Sequence, residues 1–82
     1  TQLFTSLYLY SMEFSLQGKE FIELNKLLKF LNLADSGGIA NQMISEGCVL
    51  RNKEVETRKR CKLKVGDVIS IKDENIQIII VV

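Results

Sequence analysis

The sequence predicts an α+β fold in which a two-helix hairpin packs on a small, mainly antiparallel sheet of three to five strands. Between about residues 20 and 33, apolar residues recur every three or four positions, which is the period of an amphipathic helix. After Gly47 the pattern changes to short β-branched segments separated by turn residues, which is typical of strands. A chain of 82 residues, of which 46% are hydrophobic and 26% charged, suits one globular domain.

Two helices are predicted in succession. The apolar stripe of the first consists of Phe21, Leu24, Leu27, Leu28 and Leu31. Residues 34–36 then supply a turn, and the hydroxyl of Ser36 is a typical N-cap for a second helix over residues 37–46. Gly47 follows where a left-handed C-terminal cap is expected.

Strands are predicted on both sides of the helical pair. One covers residues 14–16 and ends at a turn over residues 17–19. The others cover residues 48–50, residues 68–71 and residues 76–82, and Val55 begins a return strand after a tight turn at Asn52 and Lys53.

Residues 12–82 are predicted to form a single domain, preceded by an N-terminal extension of residues 1–11. The extension is apolar and uncharged, but it lacks the basic segment and the small-residue cleavage site of a signal peptide. Two interpretations stay open. Either the extension is not native and Met12 is the natural start, or it adds a strand, because large apolar residues alternate from Tyr8 to Leu16.

The residue types argue against an enzyme and against a metal site. The sequence contains no histidine, no clustered carboxylate pair on a predicted site and no phosphate-binding loop, and Cys48 and Cys61 lack the CxxC spacing of zinc ligands. Free thiols in a reducing cytoplasm are favoured over a disulfide. A redox role for Cys61 is the remaining enzymatic alternative, because nearby cations could stabilise its thiolate. We expect no cofactor, no small-molecule substrate and, because the apolar run at residues 78–82 is short, no membrane association.

Positive charge is concentrated in residues 51–64, which we call the basic segment. It contains seven lysines and arginines against two glutamates, a net charge of +5, whereas residues 1–50 and residues 65–82 each carry −2. If the segment is a strand, alternation places Arg58, Arg60 and Lys62 on one face, which would suit a phosphate backbone. The alternative is a solvated edge strand whose charges prevent aggregation.

A pair of glycines, Gly37 and Gly38, follows the predicted cap of the second helix. Helices seldom begin this way, because each glycine costs about 1 kcal/mol relative to alanine. Glycine exposes backbone amides at the positive end of the helix dipole, where a phosphate can approach. Close packing of the second helix on a neighbouring element is the alternative explanation.

Residues 22–71 resemble the RNA-binding domain first described in ribosomal protein S-four, often called the αL motif. The resemblance depends on the leucine-rich first helix, Ser36 followed by Ala40, Met43-Ile44-x-x-Gly47-x-Val49, Asn52 and Gly66-Asp67-x-Ile69. The SGG opening of the second helix and the ETRKRCK run are similar to those of short, stand-alone bacterial members. These resemble the domain without any attached enzyme.

The resemblance implies that the two helices and the following hairpin form one continuous surface for structured RNA, ribosomal or transfer. We therefore expect a non-catalytic, cytoplasmic, monomeric module that contacts RNA through Lys26, Ser36, Gly37, Gly38, Arg51, Asn52, Lys53, Thr57, Arg58, Lys59, Arg60 and Lys62. A protein-interaction domain that uses the same basic segment to bind an acidic partner is the alternative function.

The sequence departs from the family pattern at four positions of this expected surface. Gly37 stands where arginine is usual, and Asn41 stands where many relatives have lysine or arginine. Arg51 and Lys53 replace the common valine and glycine of the hairpin, so positive charge moves toward the turn. These departures change individual contacts of the expected surface, and the surface as a whole remains the expectation.

Overall fold

The computed structural model describes residues 10–72 and 74–82. The first half contains β1 (Tyr10–Ser15), β2 (Ile22–Glu23), α1 (Leu24–Phe30) and α2 (Gly37–Ser45). The second half contains β3 (Val49–Arg51), β4 (Glu54–Val55), β5 (Lys62–Leu63), β6 (Val68–Ile71) and β7 (Ile76–Val81). In the described ranges, no helix is long and apolar enough to cross a membrane.

The strands form two sheets. The larger has the order β1-β7-β6-β3-β4, and β2 pairs with β5 in a separate two-stranded sheet. Only the β1–β7 pairing is parallel among these strands, with Tyr10 opposite Ile76 and Ser15 opposite Val81. The prediction of an α+β fold with a helical pair on a mainly antiparallel sheet is therefore confirmed.

The core lies between one face of the larger sheet and the helical pair. Alternate residues of β6 and β7 are buried because successive side chains of a strand point to opposite faces. They pack in one hydrophobic cluster with the leucine stripe of α1 and the apolar side of α2; its fully buried members include Leu24, Leu27, Leu28, Ala40, Ile44, Ile69 and Ile78. Leu63 of β5 completes this cluster from the second sheet.

Helix α1 is shorter than the periodicity predicts. Ile22 and Glu23 are extended and pair with β5, so the helix begins only at Leu24. It ends at Phe30, because Asn32 takes a positive φ of 61° and the backbone N–H groups of Leu33 and Ala34 both donate to the Leu28 carbonyl. The predicted apolar stripe is correct, but its two ends are not helical.

Helix α2 follows the prediction closely. The Ser36 hydroxyl accepts a hydrogen bond from the Ile39 backbone N–H at 3.3 Å, and Gly47 has φ +80° after the last turn. The local signals were sufficient here because cap, helix and C-terminal glycine are all encoded within twelve residues.

The alternating apolar residues before the first turn form a strand over Tyr10–Ser15, longer than the predicted 14–16. Tyr8, which belongs to the same alternation, lies outside the described residues. Whether residues 1–11 are native, and whether the domain begins at Met12, stay predictions.

Candidate nucleic-acid interface

The part of the chain that the structure describes brings five basic side chains to one open groove of about 660 Å³. We call it the basic groove; it is lined by Arg51, Arg58, Arg60, Cys61, Lys62 and Lys64. It collects residues from the end of β3, from the loop between β4 and β5, from β5 and from the position just after β5. Charges that are spread over fourteen positions of the sequence therefore meet at one place.

The prediction that Arg58, Arg60 and Lys62 lie on one face of a strand is wrong. Residues 56–61 form a loop, and only Lys62 belongs to a strand. The Glu56 carboxylate accepts the backbone N–H of Arg58 at 3.0 Å, and the Cys61 N–H donates to the Arg58 carbonyl at 3.2 Å. These bonds turn the chain back on itself, so turning rather than strand alternation brings these cations together.

Arg58 makes an internal ion pair with Glu56. Its Nε donates to Glu56 Oε2 at 2.9 Å and its Nη2 to Oε1 at 3.0 Å, a two-pronged arrangement. The Arg58 side chain is nevertheless 70% exposed, whereas that of Glu56 is 11% exposed. The hydrogen bonds from Arg58 lower the pKa of Glu56 to about 2 despite its burial, so this carboxylate is charged at neutral pH.

Arg51 is also held by a carboxylate. Its Nη2 lies 3.3 Å from Asp67 Oδ2, and the same aspartate accepts the Asn52 side-chain amide at 3.1 Å and the Lys64 backbone N–H at 2.8 Å. Burial tends to raise the pKa of Asp67, but these hydrogen bonds and the charge of Arg51 outweigh it and leave the pKa below its usual range. Asp67 thus ties the β3–β4 hairpin to the end of β5.

Asn52 and Lys53 are engaged by the hairpin turn itself. Both have positive φ, 52° and 73°, as a type I′ turn requires. The Asn52 side chain also accepts the Val68 backbone N–H at 2.9 Å. Lys53 lines a different, smaller pocket together with Ser70 and Gln77, so it does not belong to the basic groove.

The loop of the basic groove is bonded to the start of α1. The Leu24 backbone N–H donates to the Cys61 carbonyl at 2.9 Å, and the Asn25 N–H donates to the Lys59 carbonyl at 3.0 Å. The Asn25 side chain in turn donates to Asn41 of α2 at 3.2 Å. Asn41 lies one helical turn after Gly37 on the same face. The basic groove and the polar face of α2 are therefore connected through the first residues of α1.

The glycines that open α2 face open space. A Cβ atom built on Gly37 would meet nothing within 4 Å, and one on Gly38 would meet only the Ser36 hydroxyl at 3.8 Å. Close packing, the alternative explanation for the pair, is therefore wrong. The start of the helix stays accessible to an external group.

The other predicted residues of α1 and of the β4–β5 loop do not line the basic groove. Lys26 is exposed on α1 and pairs with Glu23 at 3.3 Å. Thr57 and Lys59 are exposed on the loop. Lys64, which the sequence analysis omitted from the site, lines the groove; Lys62 and Lys64 flank the buried Leu63, and this alternation could have revealed it. The RNA contacts of all twelve predicted residues stay predictions.

Cys61 is 6% exposed, and burial raises the pKa of its thiol. Arg58 Nη2 donates to the Cys61 sulfur at 3.7 Å, but the pKa of the thiol is still raised. Burial therefore disfavours the thiolate that the redox alternative requires. Both cysteines are free.

A two-helix hairpin followed by a β-hairpin and a cationic loop defines the class of protein, and comparison with known proteins identifies it as the S4 domain. The family model described as S4 domain matches residues 14–79, and the chain belongs to this family. It is 39% identical over 66 residues to "Putative RNA-binding protein YbcJ" of Escherichia coli (strain K12), covering 80% of this chain and 94% of YbcJ.

Two further comparisons agree. The chain is 43% identical over 53 residues to "Probable ribosome maturation protein RlbA" of Bacillus subtilis (strain 168), covering 65% of this chain and 75% of RlbA. The solution structure of E. coli YbcJ, described as revealing an αL motif involved in RNA binding, matches with a TM-score of 0.61. That match covers 82% of this chain and 85% of YbcJ. The fold is thus the αL fold of a short S4-like domain.

Proposed function

We propose that this domain is a non-catalytic RNA-binding module that holds structured RNA by its phosphate backbone. The basic groove carries the proposal: five cations line it, and the two carboxylates that pair with Arg58 and Arg51 leave a net charge of +3 there. A surface that keeps positive charge at the cost of like-charge repulsion suits a polyanion. YbcJ, a relative with a solved structure, is named for RNA binding.

The expected mode is recognition of shape and backbone. The basic groove is lined by guanidinium, ammonium and thiol groups, so its lining offers phosphate contacts rather than stacking platforms for bases. The amides at the start of α2 supply further donors for phosphate oxygens. The name of RlbA favours a ribosomal RNA over a transfer RNA. We also propose that the protein acts as a monomer in the cytoplasm.

Fluorescence anisotropy with a labelled ribosomal RNA hairpin at several salt concentrations tests this function. Neutralisation of about three phosphates predicts a slope of log K against log salt between about −2 and −3. A single strand of the same length and an acidic peptide serve as comparison ligands. Binding to the peptide as tight as to the hairpin, or a flat salt dependence, would contradict the proposal and favour the protein-interaction alternative.

A further inference from the structure

Glu56 is a negatively charged residue that pairs with Arg58, one of the cations lining the basic groove. Its side chain is 11% exposed, and among the described residues it is the one charged residue that is buried. An anion in this place weakens the attraction of the groove for any polyanion. The structure shows what the carboxylate does there: it accepts two hydrogen bonds from the Arg58 guanidinium and one from its backbone N–H.

The contacts fix both the direction and the exposed edge of the guanidinium. Nε and Nη2 are occupied by Glu56, and Nη2 also reaches the Cys61 sulfur at 3.7 Å. Nη1 has no partner in the described ranges, and the side chain is 70% exposed. One edge of Arg58 is therefore anchored while the other is presented to solvent.

We propose that Glu56 is a positioning residue that holds Arg58 with its free Nη1 edge toward one phosphate of the bound RNA. A free arginine loses rotamer entropy when it binds, whereas a side chain that is already held loses less. The inference rests on the proposed function, because it assigns the role of one residue in RNA binding. It predicts that removing the negative charge of Glu56 weakens RNA binding, whereas electrostatic attraction alone predicts tighter binding.

The decisive variant is Glu56→Gln, which removes one negative charge beside the RNA without changing side-chain size. Simple electrostatics predicts tighter binding. The positioning role predicts binding about fivefold to tenfold weaker, because a carboxamide has one acceptor oxygen in place of two, so the bidentate pair is lost and the Arg58 guanidinium becomes mobile. Glu54→Gln is the matched control: it removes the same charge two positions away, from an exposed residue of β4, and should not weaken binding.

Arg58→Lys supplies an independent test that leaves Glu56 in place. Lysine keeps the charge but cannot form the two-pronged pair, so about the same fivefold to tenfold loss is expected. In the double variant Glu56→Gln/Arg58→Lys the loss should be no larger than in Arg58→Lys alone, because Glu56 acts through Arg58. A merely structural role of Glu56 would instead weaken binding in both backgrounds.

The affinities of the wild type and these four variants for the same RNA hairpin, measured by anisotropy, decide the question. The inference is supported if Glu56→Gln and Arg58→Lys each weaken RNA binding and the double variant binds no more weakly than Arg58→Lys alone. Unchanged or tighter binding by Glu56→Gln, or multiplied losses, overturns it while leaving the proposed function intact. If Glu56→Gln does not fold, full affinity of Arg58→Lys overturns it by itself. Failure of the wild type to bind RNA would overturn both.

Discussion

Replacement of Arg60 and Lys64 by glutamate is expected to weaken RNA binding by about 100-fold, because two phosphate contacts become two repulsions. Both side chains line the basic groove, and neither forms an ion pair in the described part of the chain. Arg58 and Arg51 are poorer targets, because reversing either would leave its partner carboxylate facing another anion. The measurement is anisotropy with an RNA hairpin at one fixed salt concentration, alongside thermal unfolding to verify the fold.

The matched control is Lys19→Glu/Lys72→Glu, which changes the net charge by the same −4 outside the basic groove. If RNA responds to net charge alone, the two double variants weaken binding equally, and the basic groove has no special role. A loss confined to Arg60→Glu/Lys64→Glu assigns the binding to the groove. Surface substitutions of this kind usually change the free energy of unfolding by less than about 0.5 kcal/mol, so both variants should stay folded.

Alanine at both Gly37 and Gly38 is expected to stabilise the domain and to weaken RNA binding. Neither added methyl group meets an obstacle, and each removes a glycine from a helix, which raises the free energy of unfolding by up to about 1 kcal/mol per position. The same methyl groups cover the backbone amides. Loss of about one charge-assisted hydrogen bond to phosphate corresponds to roughly tenfold weaker binding. Thermal unfolding and anisotropy measure the two effects on one sample.

Ser45→Ala is the control for this pair. It lies at the opposite end of α2 and improves helix propensity without touching the start of the helix. The structure predicts that it leaves RNA affinity unchanged. If the glycine variant is more stable and binds RNA as tightly as the wild type, the start of α2 does not contact RNA.

Much of the fold could be predicted because its signals are local. The leucines of α1, the Ser36 cap and Gly47 all specify structure within a few residues of themselves. The parallel pairing of β1 with β7 could not be predicted. Its partners are 66 positions apart in the chain, and nothing in the sequence of Tyr10–Ser15 distinguishes one neighbouring strand from another.

The candidate site was predicted in composition but not in geometry. Charges at positions 58, 60 and 62 have the spacing of a strand face, and a sequence pattern cannot show that the Glu56 carboxylate turns the chain instead. Lys64 was missed and Lys53 was placed in the same patch, because membership of the basic groove depends on how β5 lies against the β3–β4 hairpin. The internal pairing of Arg51 with Asp67 also spans 16 positions.

Two arginines of the basic groove, Arg51 and Arg58, pair with carboxylates of the protein, which limits the N–H groups that they can offer to a ligand. If every N–H group of these guanidinium groups were bonded within the protein, few donors would remain for a ligand. The Nη1 edge of Arg58, however, is exposed to solvent. Arg60, Lys62 and Lys64 add charges without a carboxylate partner in the structure as described. Lys62 lies 4.9 Å from the centre of the Phe21 ring, a contact that leaves its charge intact.

An NMR titration of the isotope-labelled protein with an RNA hairpin tests most directly whether the basic groove and the start of α2 bind the same molecule. If they do, backbone amide signals of Gly37, Gly38, Arg60 and Lys62 shift together, with one common affinity. Shifts confined to the opposite face of the sheet, at Ser11, Ser70 and Gln77, would rule out this shared binding surface.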